Sequence, residues 1–162
     1  DPYTSDEVIE AAGAKKVELD ELMSTSDFVS IHARLTDKNK NMIGERELGL
    51  MKPTAYFINT GRAGLVDQDA LANALKEQKI MGAALDVFTT EPIPADSPFL
   101  KLDNVTLTTH IAGTTTEALT NSPYLLMADV AKFLNGEQAA FIVNKEVLEN
   151  EDFKAWLAKV RG

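Results

Sequence analysis

The chain has 162 residues, enough for one domain with a real core, and its 44% hydrophobic and 25% charged content is that of a folded globular protein. A net charge of −9 with no basic run excludes a nucleic-acid surface, and the lack of cysteine excludes disulfides and thiolate metal sites, so no metal is expected. No stretch has the length of a transmembrane span or the pattern of a signal peptide, which makes a cytoplasmic setting the expectation.

The chain opens Asp1-Pro2-Tyr3, without an initiator Met, so a part upstream is expected. Asp6 to Ala12 reads as a helix with Ser5 as its cap, and Leu19 to Met23 as a short helical turn capped near Glu18. Asp27 to Ile31 is a first short strand, ending at His32. Asn41 to Met51 reads as one or two helical turns. Ala55 to Asn59 is a second strand, entered from Pro53 and left at Gly61. Gln68 to Gln78 is an amphipathic helix with Asp67 as N-cap and Ala70, Leu71, Ala74 and Leu75 on one face. Met81 to Leu85 is a third strand. The second and third strands lack polar/apolar alternation, as expected for strands buried on both faces of a parallel sheet.

A loop from Thr89 to Asp103 follows, with Pro92, Pro94 and Pro98 and no regular period; ordered loops of this length are often functional. Val105 to Thr108 is the fourth strand. Thr114 to Leu134 is helical, interrupted at Pro123, where Ser122-Pro123 is expected to restart the helix, and Gly136 ends it. Glu151 to Val160 is a last amphipathic helix. Alternating strands and helices argue for an α/β fold with a parallel sheet.

In an open parallel sheet, ligands bind beyond the carboxyl ends of the strands. Arg62, Asp86 and His110 follow three successive strands there, and Glu91 lies five residues past Asp86 on the proline-rich loop. Any one of them alone is an ordinary exposed strand-end residue, and His32, also at a strand end, is taken as such. Together they suit one chemistry. A guanidinium fork binds a carboxylate at two points. A histidine moves a proton near neutral pH, and a carboxylate beside it favours its charged form. That set suits redox chemistry on a 2-hydroxy acid with a nicotinamide cofactor.

The segment FINTGRAGLVDQDALANALKEQKIMGAALDVFTTEPIPADSPFLKLDNVTLTTHIAG resembles the D-isomer-specific 2-hydroxyacid dehydrogenases, D-3-phosphoglycerate dehydrogenase-like members above all. Asn-x-x-Arg, Asp-Val-Phe-x-x-Glu-Pro and Thr-x-His-Ile stand in the family's order and spacing, and the likeness runs from Asp1 to about Asn144. It implies a Rossmann-like, doubly wound parallel sheet in three layers, incomplete at its N-terminus. Residues 1–143 would be a partial NAD-binding domain, and 144–162 a segment returning to an absent substrate domain. It implies NAD as cofactor, a small 2-hydroxy or 2-oxo acid as substrate, and a homodimer of the intact protein.

Arg62 resembles the arginine that holds the substrate carboxylate, His110 the acid/base, and Glu91 the glutamate that hydrogen-bonds the histidine and favours its protonated form. Asp86 resembles the aspartate that binds the nicotinamide carboxamide. Thr60, Gly61 and the His110 to Gly113 segment, with Ala112, resemble backbone lining the cofactor. Asp1 resembles the acidic residue that accepts from the adenosine ribose and selects NAD over NADP. The pattern departs from the family's at Thr109, where proline is usual, and at Ala63, where glycine is common. No G-x-G-x-x-G is present; that turn normally lies about 20 residues before the ribose aspartate. The chain is therefore expected to be the C-terminal part of a longer enzyme, inactive when isolated. Two alternatives share the motifs: an NAD-sensing, corepressor-type binding module, marked by a peptide groove in the absent domain, and an inactive truncated fragment.

Overall fold

The computed structural model describes residues 1–162, which form two compact units, 1–112 and 113–162. The boundary drawn from the sequence at 143/144 falls inside the second. In the first unit, β1 (Phe28–Ile31), β2 (Tyr56–Asn59), β3 (Gly82–Leu85) and β4 (Val105–Leu107) make one parallel sheet in the order β1-β2-β3-β4, with helices flanking it. This is the parallel α/β sheet that the strand–helix alternation predicts, in the Rossmann-like form that the resemblance implies. Ile31, Asn59, Leu85 and Leu107 stand side by side across the sheet. The four carboxyl ends are therefore level, and the chain leaves all of them along one edge.

Alternate residues of the strands face the core. Val29, Ile31, Phe57, Ala83 and Leu85 are buried in one cluster with Leu71, Ala74 and Leu75 of a helix, α4 (Gln68–Lys76). Met23 of α2 (Leu19–Thr25) and Leu48 of α3 (Glu45–Leu50) join it, whereas α1 (Asp6–Ala11) buries nothing. Removing each such Leu or Phe from water contributes about 1.5–3 kcal/mol, which makes this face the main support of the site edge. Burial on both faces holds for β3 but not for β2: Tyr56 is 41% exposed, with the ring of Phe28 stacked on it at 5.5 Å. Gly82 is where β3 needs no side chain, because a Cβ there would come within 2.7 Å of the Asn104 carbonyl and 3.0 Å of the Tyr56 ring.

Helix ends differ from the sequence expectation where caps do. Asp67 caps α4 as predicted, accepting from the N–H groups of Asp69 and Ala70 at 3.1 and 3.0 Å. Ser5 and Glu18 occupy cap positions but make no side-chain cap bond. In 41–51 only α3 is helical, and its start is held by Glu47, whose carboxylate accepts from the Gly44 N–H at 2.9 Å. α4 stops short of Gln78 because that residue turns left-handed (φ 55°), sending the Lys79 N–H back to the Ala74 carbonyl.

The second unit holds α5 (Thr116–Leu134) and α6 (Glu151–Arg161). α5 runs through Pro123 without restarting, contrary to the expected break at Ser122. Proline removes one i→i−4 bond, and that loss is not enough to divide a ladder 19 residues long. Thr115 caps it through the Ala118 N–H, and Gly136, at φ 84°, follows its end. Phe133 and Phe153 stack at 6.3 Å, and Arg161 lies over the Phe133 ring. Asp129 accepts from the N–H groups of Ala140 and Phe141, closing the turn after α5. No helix of the molecule is long and apolar enough to cross a membrane.

Candidate active site

The level strand ends deliver Arg62, Asp86 and His110 to one edge, but not at equal distances: Asp86 directly follows β3, whereas Arg62 and His110 stand three residues beyond β2 and β4. Each of the two longer excursions is held by a side chain that the local sequence does not advertise.

After β2 the holder is Asn59, 1% exposed. Its Oδ1 accepts from the Gly61 N–H at 3.0 Å and its Nδ2 donates to the Arg62 carbonyl at 3.1 Å. An amide that both accepts and donates closes the turn in one register, with Thr60 and Gly61 inside it. Arg62 then projects its exposed guanidinium, whose Nη1 donates to the Gly61 carbonyl at 2.7 Å. The remaining donors of the fork have no partner within the protein, as a carboxylate-binding arginine requires.

After β4 the holder is Asp86. Its carboxylate is 2% exposed and accepts from the Thr108 hydroxyl at 2.5 Å, the Ile111 N–H at 2.9 Å and the Ala112 N–H at 2.9 Å. His110 sits between those donors in the left-handed region, at φ 59°, which a histidine adopts only when its surroundings compel it. Burial pushes the Asp86 carboxyl up, but the bonds from Thr108, Ala112 and Ile111, with His110 nearby, outweigh it and leave the group below the usual aspartate range. The Asp86 carboxylate thus ties down the His110 turn, and these contacts do not bear on the nicotinamide-facing role expected of it.

Glu91 reaches the same turn from the loop. His110 Nδ1 and Glu91 Oε2 are 2.8 Å apart, and the other carboxylate oxygen accepts from the Phe88 N–H at 2.9 Å. Because a carboxylate can only accept, the proton on Nδ1 points at Glu91, which leaves Nε2 outward with no protein partner. The hydrogen bond from His110, then that from Phe88, holds the Glu91 carboxyl below the usual glutamate range.

An open cleft of about 360 Å³ unites Arg62, Glu91 and His110. Leu35, Val87 and Phe88 give it an apolar side. Leu35 escapes a sequence reading because its loop has no regular pattern; it folds over Gly64, where a Cβ would stand 2.9 Å from its Cδ2. Thr60, Gly61 and Ala112 do not line the cleft. Asp1 is exposed and its Oδ1 accepts from the Tyr3 N–H; no bond ties it to the cleft. Gly113 opens the second unit. His32 bonds the Ser30 hydroxyl at 2.7 Å and does not line the cleft.

The family model for the NAD binding domain of the D-isomer specific 2-hydroxyacid dehydrogenases matches residues 1–112, the unit that holds this entire cleft. The chain belongs to that family. Glyoxylate reductase of Thermofilum pendens is 48% identical over 132 residues, covering 82% of this chain and 39% of that protein. D-3-phosphoglycerate dehydrogenase of Methanocaldococcus jannaschii is 42% identical over 152 residues, 93% of this chain and 29% of its own. Among solved structures, the NAD-complexed D-isomer specific 2-hydroxyacid dehydrogenase of Lactobacillus delbrueckii ssp. bulgaricus superposes with a TM-score of 0.80 at 31% identity, over 88% of this chain and 47% of that one. The chain thus spans less than half the length of these relatives.

NAD is the cofactor of this domain. The cleft fits the nicotinamide end of it, with an apolar side for a flat ring.

Proposed function

We propose that this chain supplies the nicotinamide-side half of an NAD-dependent dehydrogenase that interconverts a D-2-hydroxy acid and its 2-oxo acid. The observation that carries the reading is the 2.8 Å His110–Glu91 pair, which opens on the same cleft as Arg62. Arg62 holds the substrate carboxylate through its free donors and so aims the C2 oxygen at the histidine. His110 donates its Nε2 proton to that oxygen in reduction and takes the hydroxyl proton in oxidation. Glu91 keeps the imidazole oriented through Nδ1. The bound cofactor supplies or accepts the hydride at C2. One 2-oxo acid, one hydride and one proton therefore give one 2-hydroxy acid.

Asp1 is the ribose-binding carboxylate in this reading; a 2′-phosphate would meet its charge. The test is a chimera in which this chain replaces the matching region of the Thermofilum pendens glyoxylate reductase. Reduction of glyoxylate and larger 2-oxo acids is followed by loss of NADH absorbance. Turnover with NADH well above that with NADPH supports the assignment; a preference for NADPH removes Asp1 from it, and a folded, NAD-binding chimera without turnover overturns the enzymatic reading.

The intact protein is proposed to be a homodimer. Leu119, Tyr124, Leu125, Leu126 and Met127 of α5 are each more than half exposed, an apolar run that a second copy would cover. Light scattering of the chimera at micromolar concentration is expected to give twice the protomer mass, and Leu126→Glu to lower it; a monomeric mass before substitution removes the proposal.

A further inference from the structure

Glu91 stands on an irregular stretch of the first unit. From Thr89 to Asp96 the backbone belongs to no helix or strand, and Thr89, Thr90 and Glu91 are exposed. Yet the carboxylate meets the imidazole at 2.8 Å, so something must hold the turn that carries it.

Part of that support is Gln68, on the first turn of α4. Its Oε1 accepts from both the backbone N–H of Thr89 at 3.1 Å and the Thr89 hydroxyl at 2.9 Å, and its Nε2 donates to the Val87 carbonyl at 3.3 Å. The orientation of the amide follows from these partners: one end faces two donors, the other a carbonyl. The side chain therefore grips the backbone on both sides of Phe88. Phe88 is the residue whose N–H donates to Glu91 Oε1, and its ring is backed by Phe99 at 6.4 Å. A continuous path of hydrogen bonds runs from α4 through the 87–89 turn to Glu91 and on to His110. α4 is itself anchored by its Asp67 cap and by Leu71, Ala74 and Leu75 in the core, so the path begins on a rigid element.

We infer that Gln68 is a positioning residue for the proton-transfer pair, holding the 87–89 turn so that the Glu91 carboxylate stays on His110 Nδ1. The inference rests on the His110–Glu91 reading above. It concerns a side chain that touches neither substrate nor cofactor, and it makes the geometry of the acid/base depend on a residue 42 positions earlier in the chain.

The chain has only two histidines, His32 and His110, so ¹⁵N-histidine NMR of the 162-residue protein reads each imidazole separately. A neutral His110 hydrogen-bonded through Nδ1 to a carboxylate is in the Nδ1–H form, whereas a free histidine favours Nε2–H. Glu91→Ala is expected to move His110 to the Nε2–H form. Gln68→Met, which keeps the length and removes the hydrogen bonds, is expected to move it a substantial part of the same way, with His32 unchanged. Thr89→Val, which removes one of the three bonds from the other side, is expected to give a smaller shift in the same direction. In the Glu91→Ala background Gln68→Met should add nothing. A shift with Glu91→Ala but none with Gln68→Met or Thr89→Val overturns the inference and leaves the pairing intact. No shift with Glu91→Ala overturns the pairing itself.

Discussion

Replacing His110 by Gln lowers the turnover of a dehydrogenase containing this chain by roughly 10²–10⁴-fold, the usual span for a positioned acid/base. Affinity for NAD stays close to its starting value, because Gln keeps a polar side chain of similar reach at this point of the cleft wall and the turn is held by Asp86. Gln matches the imidazole in polarity but cannot carry a transferable proton near neutral pH. The loss therefore falls on kcat and kcat/KM together, as for an interaction made only in the transition state. Glu91→Gln produces a smaller loss of the reductive rate in neutral solution. One of the two contacts, to Phe88 N–H or His110 Nδ1–H, becomes donor against donor, so the imidazole is no longer held in one orientation. Stopped-flow measurement of NADH consumption beside a fluorescence titration of NADH binding separates the two effects. His110→Gln with near-normal turnover refutes the assignment of the acid/base.

The largest effect on stability is expected at Asp86. Asp86→Leu leaves the Thr108 hydroxyl and the N–H groups of Ile111 and Ala112 without their acceptor and releases the left-handed turn at His110. Hydrogen bonds to a charged group are worth about 1.5–3 kcal/mol each when a partner is lost, and relaxation of an edge turn recovers part, so a net cost of about 2–4 kcal/mol is expected. Asp86→Asn is not a rescue, because its amide donates where Ala112 N–H already does. The sign of the pH dependence follows from the lowered carboxyl of Asp86. A depressed folded pKa contributes stability that is complete above the unfolded value, near pH 4, and is lost as pH falls through the folded value. Urea unfolding of the wild type should therefore weaken below about pH 4, and the gap between wild type and Asp86→Leu should narrow there. A gap that stays constant down to pH 2, or widens, contradicts this role.

What could be read from the sequence divides by range. The strands were legible because buried apolar runs follow a simple period, and all four appear within one residue of the expected ends. Arg62, Glu91 and His110 were legible because strand ends in a parallel sheet converge, and the structure does bring those three to one cleft. Asn59, Thr108 and Gln68 were not. Each acts on backbone or on a side chain from another part of the fold, and nothing in residue type or spacing marks Gln68 as a neighbour of Thr89, 21 residues on. The type and position of Asp86 do not show its clamping contacts, because an exposed and a buried carboxylate look alike in a sequence. At Pro123 the opposite holds: a strong local signal for a break is overridden by the ladder around it.

The clamp at Asp86 also changes what the 86–108 excursion is. Both of its ends are fixed at one carboxylate: the outgoing end is Asp86 itself, and the returning end is bonded to it through Thr108. The loop between is a closed handle mounted on β3 and pinned to the core by Phe99, and it is the exposed tip, Pro94 to Asp96, that can change in sequence while the imidazole stays where the sheet puts it.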